Sequence, residues 1–133
     1  MELLHIEPTE FTPGINFDPE TMVFDIYGFS RPENVVGFYK PLIVWLDEFN
    51  DEVLQPTPDM HRMLEINITL TYFNSASSKF LLDMLLLFIR MNTGNCKVRV
   101  KWFYDEDDDE ILESGEELSD MLGFPFTFVV KEN

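Results

Sequence analysis

The stretch RMLEINITLTYF, residues 62–73, leaves the backbone little choice. Leu64, Ile66, Ile68, Leu70 and Tyr72 alternate with Glu65, Asn67, Thr69 and Thr71. Side chains of a strand point to opposite faces with a period of two, so this pattern predicts a strand with one face on a core and one wetter face. YFNSASSKFLLDM, residues 72–84, then places three serines in four positions before a very apolar segment. That segment predicts a helix from Ser75 to about Asn92. From Phe80 to Met91 only Asp83 and Arg90 interrupt its apolar character. A helix apolar on nearly every side is deeply buried or partly covered by another protein.

The remaining elements build around this unit. CKVRVKWFY, 96–104, alternates again, with Val98, Val100, Trp102 and Tyr104 inward and Lys97, Arg99 and Lys101 on the opposite face. Beside the first strand, those cations face Glu65 and the threonine row. Near the start, short strands are cut by Pro13-Gly14 and Asp18-Pro19; Met22, Phe24 and Ile26 mark a strand that Gly28 ends. SRPENVVGFYKPLIVWLDEFNDEV reads as helix, with capping-box spacing of Ser30 and Glu33, Pro32 in its first turn, and an apolar stripe of Val35, Tyr39, Leu42, Leu46 and Phe49. Pro41 is expected to kink or divide it. QPTPDMH, 55–61, reads as a loop. DEDDDEILESGEELSD contains ten acids and no base, and Ile111, Leu112, Leu118, Met121 and Leu122 support a further helix. PFTFVVKEN ends the chain with a short strand. The expected order is β-β-α-β-α-β-α-β: one small α/β or α+β domain over residues 1–133, a central mixed sheet covered by about three helices.

Composition narrows the function. Apolar residues make up 45% of the chain, enough for a packed core. A net charge of −16 argues against nucleic acid and anionic membrane surfaces, which carry the same sign. The single cysteine, Cys96, rules out an intrachain disulfide and reads as a small core residue; as a nucleophile it has only His5 and His61 as candidate bases. The start lacks the basic and apolar regions of a signal peptide, and the longest apolar run, Met84 to Ile89, is too short to span a bilayer. These features point to a cytoplasmic protein.

Two places offer chemistry. Asp105, Asp107, Asp109 and Glu116 fall at positions one, three, five and twelve of a calcium loop. Glu110 stands where that loop needs glycine, so the run reads as a solvated acidic loop and helix start, without metal. No P-loop, dinucleotide glycine pattern, nucleophile elbow or His-x-x-x-His pair is present, and no cofactor is implied. The serine junction is the other place. Asn74 and Ser75 are good N-cap types, and the hydroxyls at Ser75, Ser77 and Ser78 suit the open N–H groups of a first helical turn. The same geometry tolerates a phosphate, which adds about −1.5 to −2 charges and would deny an adjacent apolar surface to a partner.

Four ordered segments, EPTEFTPGINFD, GFSRPENVVGFYKPLIVWL, YFNSASSKFLLDM and VKWFYDEDDDEILESGEEL, resemble the SiaC-type bacterial regulatory phosphoproteins over nearly the whole chain. The matching motifs are Thr12-Pro13, Gly28 to Glu33, Tyr72 to Ser77, and Trp102 to Tyr104. The resemblance implies a non-enzymatic signalling protein with logic like that of anti-sigma-factor antagonists. A Ser/Thr protein kinase phosphorylates it, a PP2C-like phosphatase reverses this, and the unphosphorylated form activates a diguanylate cyclase, raising cyclic di-GMP and promoting biofilm or aggregation. The acceptor falls on Ser75, where the family has threonine, and Ala76 replaces a family serine; Ser77 and Ser78 are alternative acceptors. Asn74, Lys79, Phe80, Asp83, Leu87 and Arg90 are the expected partner-binding residues, the last four forming a stripe at three-four-three spacing. The alternatives are a constitutive binding module whose serines only cap the helix, and a metal-binding acidic-loop protein using Asp105 to Asp109.

Overall fold

The computed structural model describes residues 1–57 and 61–132. Six strands form one mixed sheet in sequence order. They are β1 (Leu4–Ile6), β2 (Gly14–Asp18), β3 (Val23–Ser30), β4 (Arg62–Phe73), β5 (Cys96–Tyr104) and β6 (Thr127–Val130). The first three pair antiparallel, and β3 to β6 pair parallel. Three helices make the parallel crossovers: α1 (Val35–Phe49), α2 (Ser75–Arg90) and α3 (Asp109–Leu122). Successive right-handed crossovers that advance in one direction put all their helices on one face. A single core joins that face of the sheet to the three helices.

The expected single α/β domain with a mixed sheet is therefore what forms, with three strands rather than two before the first helix. Core-facing residues follow the alternation: Ile15, Phe17, Phe24, Ile26, Leu64, Ile66, Ile68, Val100 and Trp102 are buried. Phe17, Phe24 and Phe88 cluster with ring centroids 4.9–6.1 Å apart. Each such ring, fully buried, contributes about 1.5–3 kcal/mol of hydrophobic stabilisation. On the open face Lys101 Nζ reaches Glu65 at 2.8 Å, the cross-strand pairing expected of the basic row. Cys96 is buried, as expected of a core residue.

Several local expectations fail for identifiable reasons. Gly28 does not end β3. It takes φ +102°, open to glycine, and the strand continues through a bulge to Ser30. Across the bulge the partner register skips Thr71, so Phe29 faces Tyr72 and Ser30 faces Phe73. The alternation of β4 reverses there: Tyr72 is exposed, stacked on Phe29 at 4.8 Å, and Phe73 packs against the core instead. Because Ser30 finishes a strand, the Ser30–Glu33 capping box does not form. Asn34 caps α1, its side-chain oxygen accepting from Gly37 N–H at 3.0 Å.

Pro41 lies inside α1 without dividing it. Pro41 and Gly37 are both exposed, so water can take up the carbonyl left unpaired by proline. The helix continues into a π-turn, Asn50–Leu54, held by the Gln55 N–H on the Asn50 carbonyl at 2.9 Å. The loop expected over 55–61 lies partly outside the described residues. Met121, expected to help bury α3, is 63% exposed; Ile111, Gly115 and Leu118 form its buried face. The acidic run starts α3 as expected: Asp108 caps Ile111 N–H at 3.1 Å, with Asp109 and Glu110 in the first turn. Among the described residues no three His, Cys, Asp or Glu side chains are grouped to hold a metal ion. No described helix is long and apolar enough to cross a membrane.

Candidate functional site

The carboxyl ends of β3 and β4 meet the amino end of α2 at the serine junction. Asn74 leaves β4 in an extended conformation and becomes the N-cap of α2. Its side-chain oxygen accepts from Ser77 N–H at 2.9 Å, and its carbonyl accepts from Ser78 N–H at 2.9 Å. Its own N–H donates to the Ser30 carbonyl at 3.1 Å, fastening the junction to the end of β3.

The three serines of the junction have different surroundings. Ser75, the first helical residue, is exposed. Ser78 is half-buried, and Ser77 is fully buried. Ser77 Oγ donates to the Ser30 carbonyl at 3.2 Å and accepts from Ser30 Oγ at 2.9 Å. Ser30 Oγ is also bonded to the Tyr39 hydroxyl. With the Ser30 proton committed to Ser77, the tyrosine is the donor in that bond. The result is one directed chain, Tyr39 to Ser30 to Ser77 to the Ser30 carbonyl, in which every buried hydroxyl is satisfied. Burial raises the Tyr39 pKa, partly offset by its hydrogen bond to Ser30.

Around this lock, the segments that carried the family resemblance converge. Arg31 N–H donates to the Phe11 carbonyl at 2.8 Å, drawing the Thr9–Pro13 loop to the end of β3. The Arg31 guanidinium lies 5.2 Å from the Phe11 ring centre and 5.9 Å from that of Phe29. Phe73 meets Trp102 edge-on at 6.0 Å, joining the fourth segment to the third. A cleft of about 510 Å³ opens between the Thr9–Thr12 turn and Arg31, Pro32 and Glu33.

Of the expected partner-binding residues, Lys79, Asp83 and Arg90 are exposed, and Asn74 is half-buried by its capping role. Phe80 and Leu87 are half-buried against the core, and Phe80 stacks on Tyr39 at 5.6 Å. The residues that sequence reasoning missed are Ser30, read as a cap, and Tyr39, read only as core. Gly28 was the available signal, because a glycine within a strand pattern often marks a bulge.

Comparison with known proteins identifies the family and the fold. Residues 6–131 match the family described as SiaC family regulatory phosphoprotein. The chain belongs to the SiaC family. This makes it a regulatory protein rather than an enzyme. An uncharacterised protein of Pseudomonas aeruginosa is 32% identical over 126 residues, which cover 95% of this chain and 94% of that protein. The fold matches SiaC of Pseudomonas aeruginosa in the crystal structure of the diguanylate cyclase SiaD with its activator SiaC. That match has a TM-score of 0.83 and 29% identity, and covers 96% of this chain and 99% of the other. Apo-SiaC from the same organism matches with a TM-score of 0.79 and 28% identity, over 99% of this chain and all of the other.

Proposed function

We propose that this SiaC-family protein activates a diguanylate cyclase in the cytoplasm and is switched off by phosphorylation of Ser75. A Ser/Thr protein kinase adds the phosphate and a PP2C-like phosphatase removes it. The observation that carries the reading is the division of labour among the junction side chains. Asn74 does the capping and Ser77 the locking, while Ser75 is exposed and needed for neither. The likeness to an SiaC chain bound to its cyclase, over nearly all of both chains, supports the choice of partner.

The mechanism follows from position. A phosphate on the first residue of α2 sits where the helix dipole favours negative charge, so the fold tolerates it. It also sits one turn from the exposed Lys79 and about two turns from the exposed Asp83, on the helix proposed to meet the partner with Phe80, Leu87 and Arg90. A dianion there repels acidic groups of a docking surface and must be desolvated for contact. Burial of Ser77 disfavours it as an acceptor, because a kinase would have to open the lock first.

The test uses the purified chain with the diguanylate cyclase of its host, read as cyclic di-GMP formed. Ser75→Ala is expected to activate as the wild type does, and to stay active after treatment with the kinase. Ser75→Asp is expected to keep the fold and lose most of the activation. Full activation by a folded Ser75→Asp protein would leave a constitutive binding module as the reading.

A further inference from the structure

A basic feature lies at the other end of α2 from Ser75, about 24 Å along a helix of 16 residues. There a cleft of about 190 Å³ opens between the π-turn after α1, the start of β4, the last turn of α2 and the turn before β5. Among the described residues lining it, the charged ones are Arg62 and Arg90. The chain has 25 Asp and Glu against 9 Lys and Arg, so a cleft whose described charged residues are both basic runs against the composition.

Among the described residues neither arginine forms an ion pair. Arg62 Nη1 donates to the Val53 carbonyl at 3.1 Å, and Nη2 to the Leu54 and Thr57 carbonyls, each at 3.0 Å. Those acceptors are neutral, so they fix the guanidinium without cancelling it. Arg62 Nε is buried and has no acceptor among the described residues. Arg90, exposed at the end of α2, has no ion pair among the described residues. The side chains of Gln55 and Asn95 add amide donors to the wall. The carboxyl end of α2 contributes about half a negative charge, which two full positive charges outweigh.

We propose that this cleft is a binding site for a phosphate-type oxyanion, gripped by Arg90 and by the guanidinium of Arg62. Arg90 offers paired N–H groups that match two oxygens of a tetrahedral anion, while Arg62, whose Nη2 protons both go to carbonyls, adds its charge and one remaining Nη1–H. The volume is below the roughly 300 Å³ of ordinary ligand pockets, which excludes a whole nucleotide and suits free phosphate or the phosphate end of a short monoester. Occupancy would join the start of β4 to the end of α2.

The test titrates inorganic phosphate into the full chain by calorimetry at constant ionic strength, with chloride as the control. The thermal midpoint is followed in parallel, because a ligand bound only by the folded state raises it. Saturable heat and a rising midpoint with phosphate, beyond those with chloride, are expected. Arg90→Gln, a change at an exposed position, is expected to fold as the wild type does and to bind phosphate at least tenfold more weakly. Glycerol 3-phosphate forms a second arm: tighter binding than inorganic phosphate assigns the site to a monoester, weaker binding to the free ion. No saturable effect beyond chloride, or an unchanged effect in Arg90→Gln, overturns the proposal.

Discussion

Ser30 and Ser77, 47 positions apart in sequence, share a fully buried hydrogen bond of 2.9 Å. It ties the end of β3 to the first turn of α2, and it makes neighbouring serines unequal. Ser77→Ala removes the acceptor of the Ser30 hydroxyl where no water can replace it. The expected loss is about 1–3 kcal/mol of stability. Ser75→Ala, at an exposed position, should stay within about 0.5 kcal/mol of the wild type. Urea unfolding of the two variants checks this. Equal midpoints would show that the buried network holds nothing.

The same network responds to alkali. Tyr39 has its pKa raised above the ordinary 10.0, first because burial penalises the phenolate. The sign follows from proton binding: above pH 10 the unfolded chain releases a proton that the folded chain retains. Stability supplied by the neutral tyrosine is therefore full below about pH 10 and declines as pH rises toward the folded value. Tyr39→Phe removes the titrating group. Its thermal midpoint should fall less steeply than the wild type's above pH 10, from a starting point about 1 kcal/mol lower for the lost hydrogen bond.

How far these features were legible depends on whether they are local. The period-two pattern of residues 64–70 and the apolar stripe of α1 state burial directly, because each position is read from its neighbours in sequence. The expected contact of Glu65 with the basic row also formed, since parallel register follows from two adjacent alternating strands. Ser30 was misread because its local spacing to Glu33 suits a cap, whereas its actual partners, Tyr39 and Ser77, come from other elements. Tyr72 was misplaced for a related reason. One extra residue in β4, Thr71, has no partner beside Gly28 and reverses every later side chain, and the alternating sequence of β4 gives no sign of it. Within the candidate site, the helix start was readable, but the distinction between exposed Ser75 and buried Ser77 required the third dimension.

Acid acts on the open face of the sheet. The Lys101 ammonium, first by its hydrogen bond, holds the Glu65 carboxyl below its ordinary pKa of 4.5. Its contribution is present above that value and is lost as pH falls through the lower, folded one. The pair is partly exposed, so its worth is up to about 1 kcal/mol and declines with salt. Glu65→Gln should therefore be less stable than the wild type at neutral pH and converge with it in acid below pH 4.5. Guanidinium would screen the pair, so urea unfolding across pH is the measurement. A constant gap at every pH would assign the difference to packing instead.

Under α3, Gly115 packs closely against Trp102. A methyl group added to Gly115 would come within 2.6 Å of the Trp102 indole, against atoms of a large, fully buried side chain. The indole cannot swing away freely, because its Nε1–H donates to the Ile111 carbonyl at 2.9 Å within the same helix. Two outcomes of Gly115→Ala can then be separated. On helix propensity alone alanine would stabilise α3 by about 1 kcal/mol. Overpacking costs about 1–3 kcal/mol and should dominate at this separation. The variant is expected to be less stable and to show an altered tryptophan signal in near-ultraviolet circular dichroism, as Trp102 shifts against Phe73 and Phe126. A more stable protein with an unchanged tryptophan signal would mean that α3 can lift from the sheet at no cost. In that case Trp102 would not couple the acidic end of the molecule to the strand that leads into the serine junction.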